Sequence, residues 1–505
     1  MTSFTQAMTA VTTNNAVTLS TPDPKGENDG RISLFFKSAR GLDKERLHQY
    51  LSKASDESII DTILIAFHIR DCRGGKGERD LGRSAFLWLF VNHPVEFLKV
   101  LRFLPEYGRW DDLLQFFPKV YSASDHCNIQ IKIVEFFVEK IKEDYNLMLQ
   151  GKPCSLAAKW APTQKDSLDR KHGVFNTIAN KMGVTPRTLR KTYITPLRKY
   201  LNIVERFMSG SKWEEIDYNK VPSCAMKRLK DAFSKHDDVR FMEWKNALSL
   251  GDPTVAKVCG KQLFPYELVK EIRTKNKADE VCEAQWKIIE EECMKNGSLN
   301  SDVAIVDTSS SMHTNSFLPF DVAISMGLLI SGCSEGKFKN LVFTFNDVPT
   351  SIVINGTNLE SRYNEIKNIP WGGSTNIQAT FEMILERGKK FSLKQDDMPK
   401  RLWIISDMQF NQVSGNYLTN FQEIERMYEN SGYTRPQIIF WNVDGKILDF
   451  PVTSDQNGTV MISGFSPSIM KAILSGKCTE FSPFLILQET LNSDRLLPIR
   501  LALRT

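Results

Sequence analysis

The sequence is poor in the residues that build nitrogen- and sulfur-ligated sites. Its 505 residues include seven histidines and nine cysteines, all scattered; the nearest cysteines in sequence are Cys282 and Cys293, and no CxxC occurs. No Cys and His group has zinc-site spacing, so the thiols read as reduced and a disulfide framework or zinc module is excluded. No apolar run approaches the roughly 20 residues of a membrane span. The opening MTSFTQAMTAVTTNN lacks the basic and apolar regions of a secretory signal. These absences lead us to expect an intracellular, cytoplasmic protein with no membrane contact, or a virion component if the chain is viral. Ser–His–Asp and paired-carboxylate motifs are also missing, so catalysis finds little support.

What the chain does have is length and an uneven charge. A prior based on length gives two to four domains, and 41% hydrophobic with 25% charged residues is ordinary globular composition. The net charge of +5 conceals an asymmetry. Residues 1–300 hold 47 Lys and Arg against 39 Asp and Glu, while residues 301–505 hold 18 against 21. Residues 151–200 alone carry 11 basic and 2 acidic side chains. Such density solvates a helix face or meets a polyanion.

Residues 1–30, rich in Thr, Ser, Asn, Pro and Gly, read as a disordered tail. From residue 31 to 297 the pattern is helical. SIIDTILIAFHIRD, LGRSAFLWLFVNH, VEFLKVLRFLPEYG and NIQIKIVEFFVEKIKEDYNLMLQ each space apolar residues three and four apart. Successive amphipathic helices with short connectors predict an all-α, HEAT-like helical-repeat domain, although no fixed sequence period is present. Near Gly297 the grammar changes. The runs VAIV, LVFTF, SIVI, RLWIIS, QIIFWNV and VMIS alternate with helical stretches. Residues 298–505 therefore read as an α/β doubly wound domain with a mainly parallel sheet.

The stretch DVAIVDTSSSM, residues 302–312, carries the chemistry. A continuous apolar run ending in Asp307 reads as a buried strand, and ligands bind at the C-terminal edge of such sheets. Asp307, Ser309 and Ser311 can turn three oxygens toward one point. The loop WGGSTN adds Thr375, and Asp407 follows the strand LWIIS. Carboxylates and hydroxyls without His or Cys suit a hard cation such as Mg²⁺, which takes six oxygens at about 2.0–2.1 Å and retains waters. Mn²⁺ and Ca²⁺ share that preference for oxygen.

The DTSSS signature, a later threonine in a Gly-Ser-Thr loop and a later aspartate at a strand end together resemble the metal-ion-dependent adhesion site (MIDAS) of von Willebrand factor A domains. The resemblance covers about 200 residues. It implies that Ser309, Ser311 and Thr375 ligate the metal directly, that Asp307 and Asp407 act mainly through water, and that a partner's acidic side chain completes the site. The helical half is similar to something else. RDCRGGKGERD, LPEYGRWDDLL, LAAKWAPTQKDS and IDYNKVPSCAMKRLKDAF resemble an uncharacterised family of plants, fungi and giant DNA viruses that joins a helical domain to a von Willebrand A-like domain. That arrangement is similar to the Ro ribonucleoprotein (TROVE module) family, and the likeness implies RNA as a partner.

Three other signals have competing readings. RGGKG at 73–77 suggests a phosphate loop, but it lacks GxxxxGK[ST] spacing and follows a helix; a helix C-cap fits better, with Arg73, Lys76 and Arg79 facing an anion. Residues 174–200 have the outline of a helix-turn-helix. Their basic side chains either enter a DNA groove, meet RNA phosphates, or are merely solvated. The nucleic-acid-binding candidates are Arg170, Lys171, Lys181, Arg187, Arg190, Lys191, Arg198 and Lys199, with Trp160, Tyr193 and Tyr200 as stacking surfaces or core. His313, two residues past Ser311, would be the base of a metal-dependent hydrolase. The expectation is instead a non-enzymatic RNA-binding protein that docks partners through Mg²⁺ and has no small-molecule substrate. A protein-interaction scaffold without RNA is the alternative.

Overall fold

A computed structural model describes residues 9–11, 17–19, 29–117, 124–260, 263–295, 299–345, 349–368, 377–408, 420–444, 459–464 and 483–504. Within the first 28 residues only Thr9–Val11 and Val17–Leu19 are described, as a short antiparallel pair. The proposed tail otherwise lies outside the described residues.

The N-terminal part is helix-rich, and many consecutive helices pack on each other. The helix Ile59–Arg70 is its axis. Ser58 caps it by accepting the Asp61 N–H at 3.2 Å, and Ile63, Leu64, Ile65 and Phe67 are all buried. A helix that is apolar on every side must be surrounded, and this one is. The expected single helix over VEFLKVLRFLPEYG is three pieces: Pro94–Val100, a 3₁₀ turn at Leu101–Phe103, and Leu104–Tyr107. Pro105 has no N–H and is accommodated only in a first turn, so the helix restarts around it.

The RGGKG segment is a structural turn. Gly75 lies against the backbone of Ile59–Arg70, where a Cβ would sit 2.1 Å from the His68 carbonyl. Lys76 points inward. Its Nζ donates to the carbonyls of Phe35 and Ser38, the latter at 3.0 Å, and burial lowers its pKa to about 7. Arg73 donates to the Glu106 carbonyl and Arg79 pairs with Asp80 at 3.0 Å. The expected anion-facing set is therefore corrected: a buried lysine bonded to two carbonyls cannot reach a phosphate.

The C-terminal part holds a six-stranded sheet. Its strands in chain order are β1 (Asp302–Asp307), β2 (Leu341–Phe345), β3 (Thr350–Val353), β4 (Arg401–Ser406), β5 (Gln437–Asn442) and β6 (Thr459–Ser463). Their spatial order is β6-β5-β4-β1-β2-β3. All neighbours are parallel except β3, an antiparallel edge. From β1 the chain winds outward to β3, then returns to start again at β4 on the other side. The boundary between β1 and β4 is thus the topological switch point, where an open sheet leaves a crevice at its C-terminal edge.

Alternation along the strands divides the core. Val303 and Ile305 of β1, with Leu402 and Ile404 of β4, face the helices Ile377–Lys390 and Asn420–Asn430. Ala304, Val306, Trp403 and Ile405 face the other way, into a core that includes the helix Thr314–Cys333 and extends into the N-terminal helices. Arg273 of the helix Pro265–Lys275 forks onto buried Asp321 at 2.7 and 2.9 Å across that layer. The predicted helix at SPSIMKAILSG lies outside the described residues. The helix Pro483–Leu491 and a further one, Leu497–Arg504, return to pack on the N-terminal helices. Arg495 between them binds Asp71 at 2.9 Å and Glu106 at 3.0 Å. The two halves of the chain therefore share one apolar core.

Candidate functional site

Asp307 is the last residue of β1, and the pairing of Val306 with Ile405 sets it beside Ser406 at the end of β4. It is fully buried. One carboxylate oxygen accepts the Ser309 N–H at 2.8 Å, and the other accepts the Ser406 hydroxyl at 2.5 Å. The first bond folds the chain back over the strand end, a side-chain turn typical of aspartate. A 3₁₀ turn at Ser310–His313 follows. The fold-back brings the Ser309 and Ser311 hydroxyls to 2.9 Å from each other. Ser309 is buried and Ser311 is half-buried, so the group opens outward at Ser311.

Asp407 follows β4 directly and is also buried. Met408 after it has φ +67 and donates its N–H to the Ser406 hydroxyl at 2.9 Å, so the chain turns sharply there. Burial, reinforced by the charge of Asp407, pushes the Asp307 carboxyl well above the ordinary carboxylate range. Two carboxylates brought together out of water, next to hydroxyls, form a donor set of oxygens alone. That set fits a hard divalent cation.

Of the five expected metal residues, the structure brings Asp307, Ser309, Ser311 and Asp407 to one edge of the sheet. Thr375 and its WGGSTN loop lie outside the described residues. Sequence reasoning missed Ser406, whose hydroxyl bonds both Asp307 and the Met408 backbone; its only signal was a small polar residue ending an apolar strand. Asn442 and Asp444 are likewise buried at the end of β5, where the side-chain Oδ1 of Asn442 accepts the Asp444 N–H at 2.8 Å. His313 packs beside two phenylalanines. Its ring lies 4.8 Å from Phe317 and 5.3 Å from Phe320, and burial with the charge of Arg273 lowers its pKa.

The basic segment forms a helix, Val174–Met182, ended by Gly183 at φ +73, then a second helical run from Pro186 to Tyr200. Thr185 caps the second run, and a π-turn at Leu189–Ile194 interrupts it. Leu189, Ile194 and Leu197 are buried, while Arg187, Arg190, Lys191 and Lys199 are exposed on the opposite side. Among the described residues no ion pair is recorded for those four. Arg170 and Lys171 are exposed as well, and Arg170 donates to the Lys165 carbonyl at 2.7 Å. Lys181 pairs with Glu135 at 2.8 Å. Arg198 differs from the rest, donating inward to the carbonyls of Ala158 at 2.8 Å and Ala161 at 2.9 Å. Tyr193 packs on Tyr145 at 4.9 Å, and half-buried Trp160 packs on the core.

Comparison with known proteins gives two family matches. Residues 301–490 match the Domain of unknown function (DUF7788), and residues 12–123 and 111–299 match the Domain of unknown function (DUF2828). The "Uncharacterized protein L728" of Acanthamoeba polyphaga mimivirus is 30% identical over 500 residues, covering 93% of this chain and 85% of that relative. Among the described residues no helix is long and apolar enough to cross a membrane.

Proposed function

Since the chain belongs to the uncharacterised family that carries DUF2828 and DUF7788 together and includes a giant-virus member, we propose that it is a non-enzymatic binding protein: a basic helical-repeat part binds RNA, and a von Willebrand A-like part docks an acidic partner through Mg²⁺. The observation that carries the metal half is the joining of Asp307, Ser309, Ser311 and Asp407 at the switch point of a doubly wound sheet. Those residues, with Thr375, would hold the ion. When bound, it supplies positive charge and an open coordination position for a carboxylate of the partner. The chain's own contribution is to exclude water from Asp307 and to fix its two oxygens with the Ser309 N–H and the Ser406 hydroxyl.

RNA binding is supported by the exposed side chains of Arg187, Arg190, Lys191 and Lys199, which lie on one side of a helical run that buries its apolar residues on the other. Phosphate contact requires such charge and no base reading. The test has two arms. Titration of Mg²⁺ into chelator-stripped protein is expected to show one site per chain, lost in Asp307→Ala. Crosslinking to RNA in native cells is expected to recover a defined RNA, lost when Arg170, Lys171, Arg187, Arg190 and Lys191 become glutamine. Recovery of no RNA by either protein, with Mg²⁺ binding intact, would favour a protein scaffold instead.

A further inference from the structure

Where the basic helical run ends, the surface opens into a cleft of about 780 Å³. Its walls combine two kinds of side chain that nothing in the metal site uses. The ring of Tyr200 stands at the rim, 37% exposed, its hydroxyl donating to the Lys152 carbonyl at 3.0 Å. Met148 and Phe207 supply apolar wall. Arg206 also lines the cleft, with its guanidinium carbon 4.5 Å from the Phe207 ring centre, and its Nε is buried with no hydrogen-bond partner among the described residues. A buried donor of that kind is normally satisfied, and an anion is the natural acceptor for a guanidinium.

The cleft lies at the end of the run's basic face. Arg187, Lys191 and Lys199 are all exposed, and the π-turn at Leu189–Ile194, with more than four residues per turn, brings them toward one side of the run, where Lys199 is itself part of the cleft wall. At 1.5 Å per residue the stretch from Arg187 to Lys199 is roughly 18 Å long, room for several phosphates of an extended strand. Asn202, at φ +47, turns the chain away after Tyr200 and leaves the mouth uncovered. Glu215, paired with Lys212, also lines the cleft, and its charge acts on both Arg206 and Lys199.

We infer that this cleft receives one unpaired nucleotide of a single-stranded RNA, its base stacked on Tyr200 and its phosphate held by Arg206 and Lys199, while the strand continues along Lys191 and Arg187. The inference rests on the RNA-binding reading above and deepens it. A duplex keeps its bases stacked inside and offers nothing to an aromatic cleft, whereas a single strand presents both base faces and phosphates.

The test is fluorescence anisotropy of the full chain with labelled oligouridine and with a blunt RNA hairpin. Oligouridine is expected to bind more tightly than the hairpin. Tyr200→Ala is expected to weaken it about 5- to 150-fold, the range for loss of one base–aromatic stack. Tyr200→Phe keeps the ring and should bind more tightly than Tyr200→Ala, and Arg206→Gln should weaken binding at an unchanged melting temperature. If wild type binds oligouridine but Tyr200→Ala and Arg206→Gln bind equally well, the cleft assignment is overturned while the RNA reading stands. Tighter binding to the hairpin overturns the single-strand assignment. Absence of binding to either RNA overturns the RNA reading and this inference with it.

Discussion

Replacing Asp307 with asparagine separates a metal site from a structural remnant. In the native state burial, reinforced by the charge of Asp407, pushes the Asp307 carboxyl well above the ordinary carboxylate range. An ordinary aspartate titrates near 4, so keeping this one ionised at neutral pH withholds stability from the folded state, on the order of a few kcal/mol. The sign follows from the folded value being the higher one. The penalty is absent below the unfolded value and grows as pH rises toward the folded one. The asparagine side chain would keep an oxygen for the Ser309 N–H but would change the bond to Ser406, a loss of about 1 kcal/mol. In chelator, Asp307→Asn is therefore expected to be about 1–3 kcal/mol more stable than wild type by urea denaturation at neutral pH. With Mg²⁺ at about 100 times its Kd, wild type should gain about 2.7 kcal/mol and the variant nothing, closing the gap or reversing it. Equal Mg²⁺ increments in both proteins, or a variant clearly weaker than wild type in chelator, would refute the reasoning.

Other perturbations test the framework around the site. Lys76→Met removes a buried ammonium whose pKa is depressed to about 7. The unfolded chain binds the extra proton between about 7 and 10.5, so wild type should gain roughly 2 kcal/mol relative to the variant from pH 7 to 9, measured by urea denaturation at both values. Arg273→Ala leaves Asp321 buried and unpaired from its guanidinium. It should cost about 3 kcal/mol or more, with Arg273→Ala/Asp321→Ala recovering part of the loss. Changing Arg187, Arg190 and Lys191 to glutamine should lower the slope of log affinity for RNA against log salt by about 2, with the melting temperature unchanged.

Much of this was legible in the chain itself. The change from a helical to a strand-and-helix pattern near Gly297, the short β-branched run before Asp307 and the strand before Asp407 are local signals, because periodicity and burial are written residue by residue. Sequence placed two aspartates and two serines at strand ends on one edge. It could not place Ser406 against Asp307, since that bond depends on β1 lying beside β4, which are 99 residues apart. RGGKG looked like an anion loop for the same reason: its basic residues are visible in sequence, but the carbonyls of Phe35 and Ser38 that claim Lys76 are not. Arg198 and Arg206 illustrate the point from both sides. Both are basic residues near the end of one segment, yet one donates to two carbonyls and the other lines a cleft. Composition and spacing determined which groups this protein carries and the order in which its strands and helices form. Only tertiary structure decided which of its charges are buried, which are paired and which face outward, because those outcomes depend on neighbours that chain distance does not predict.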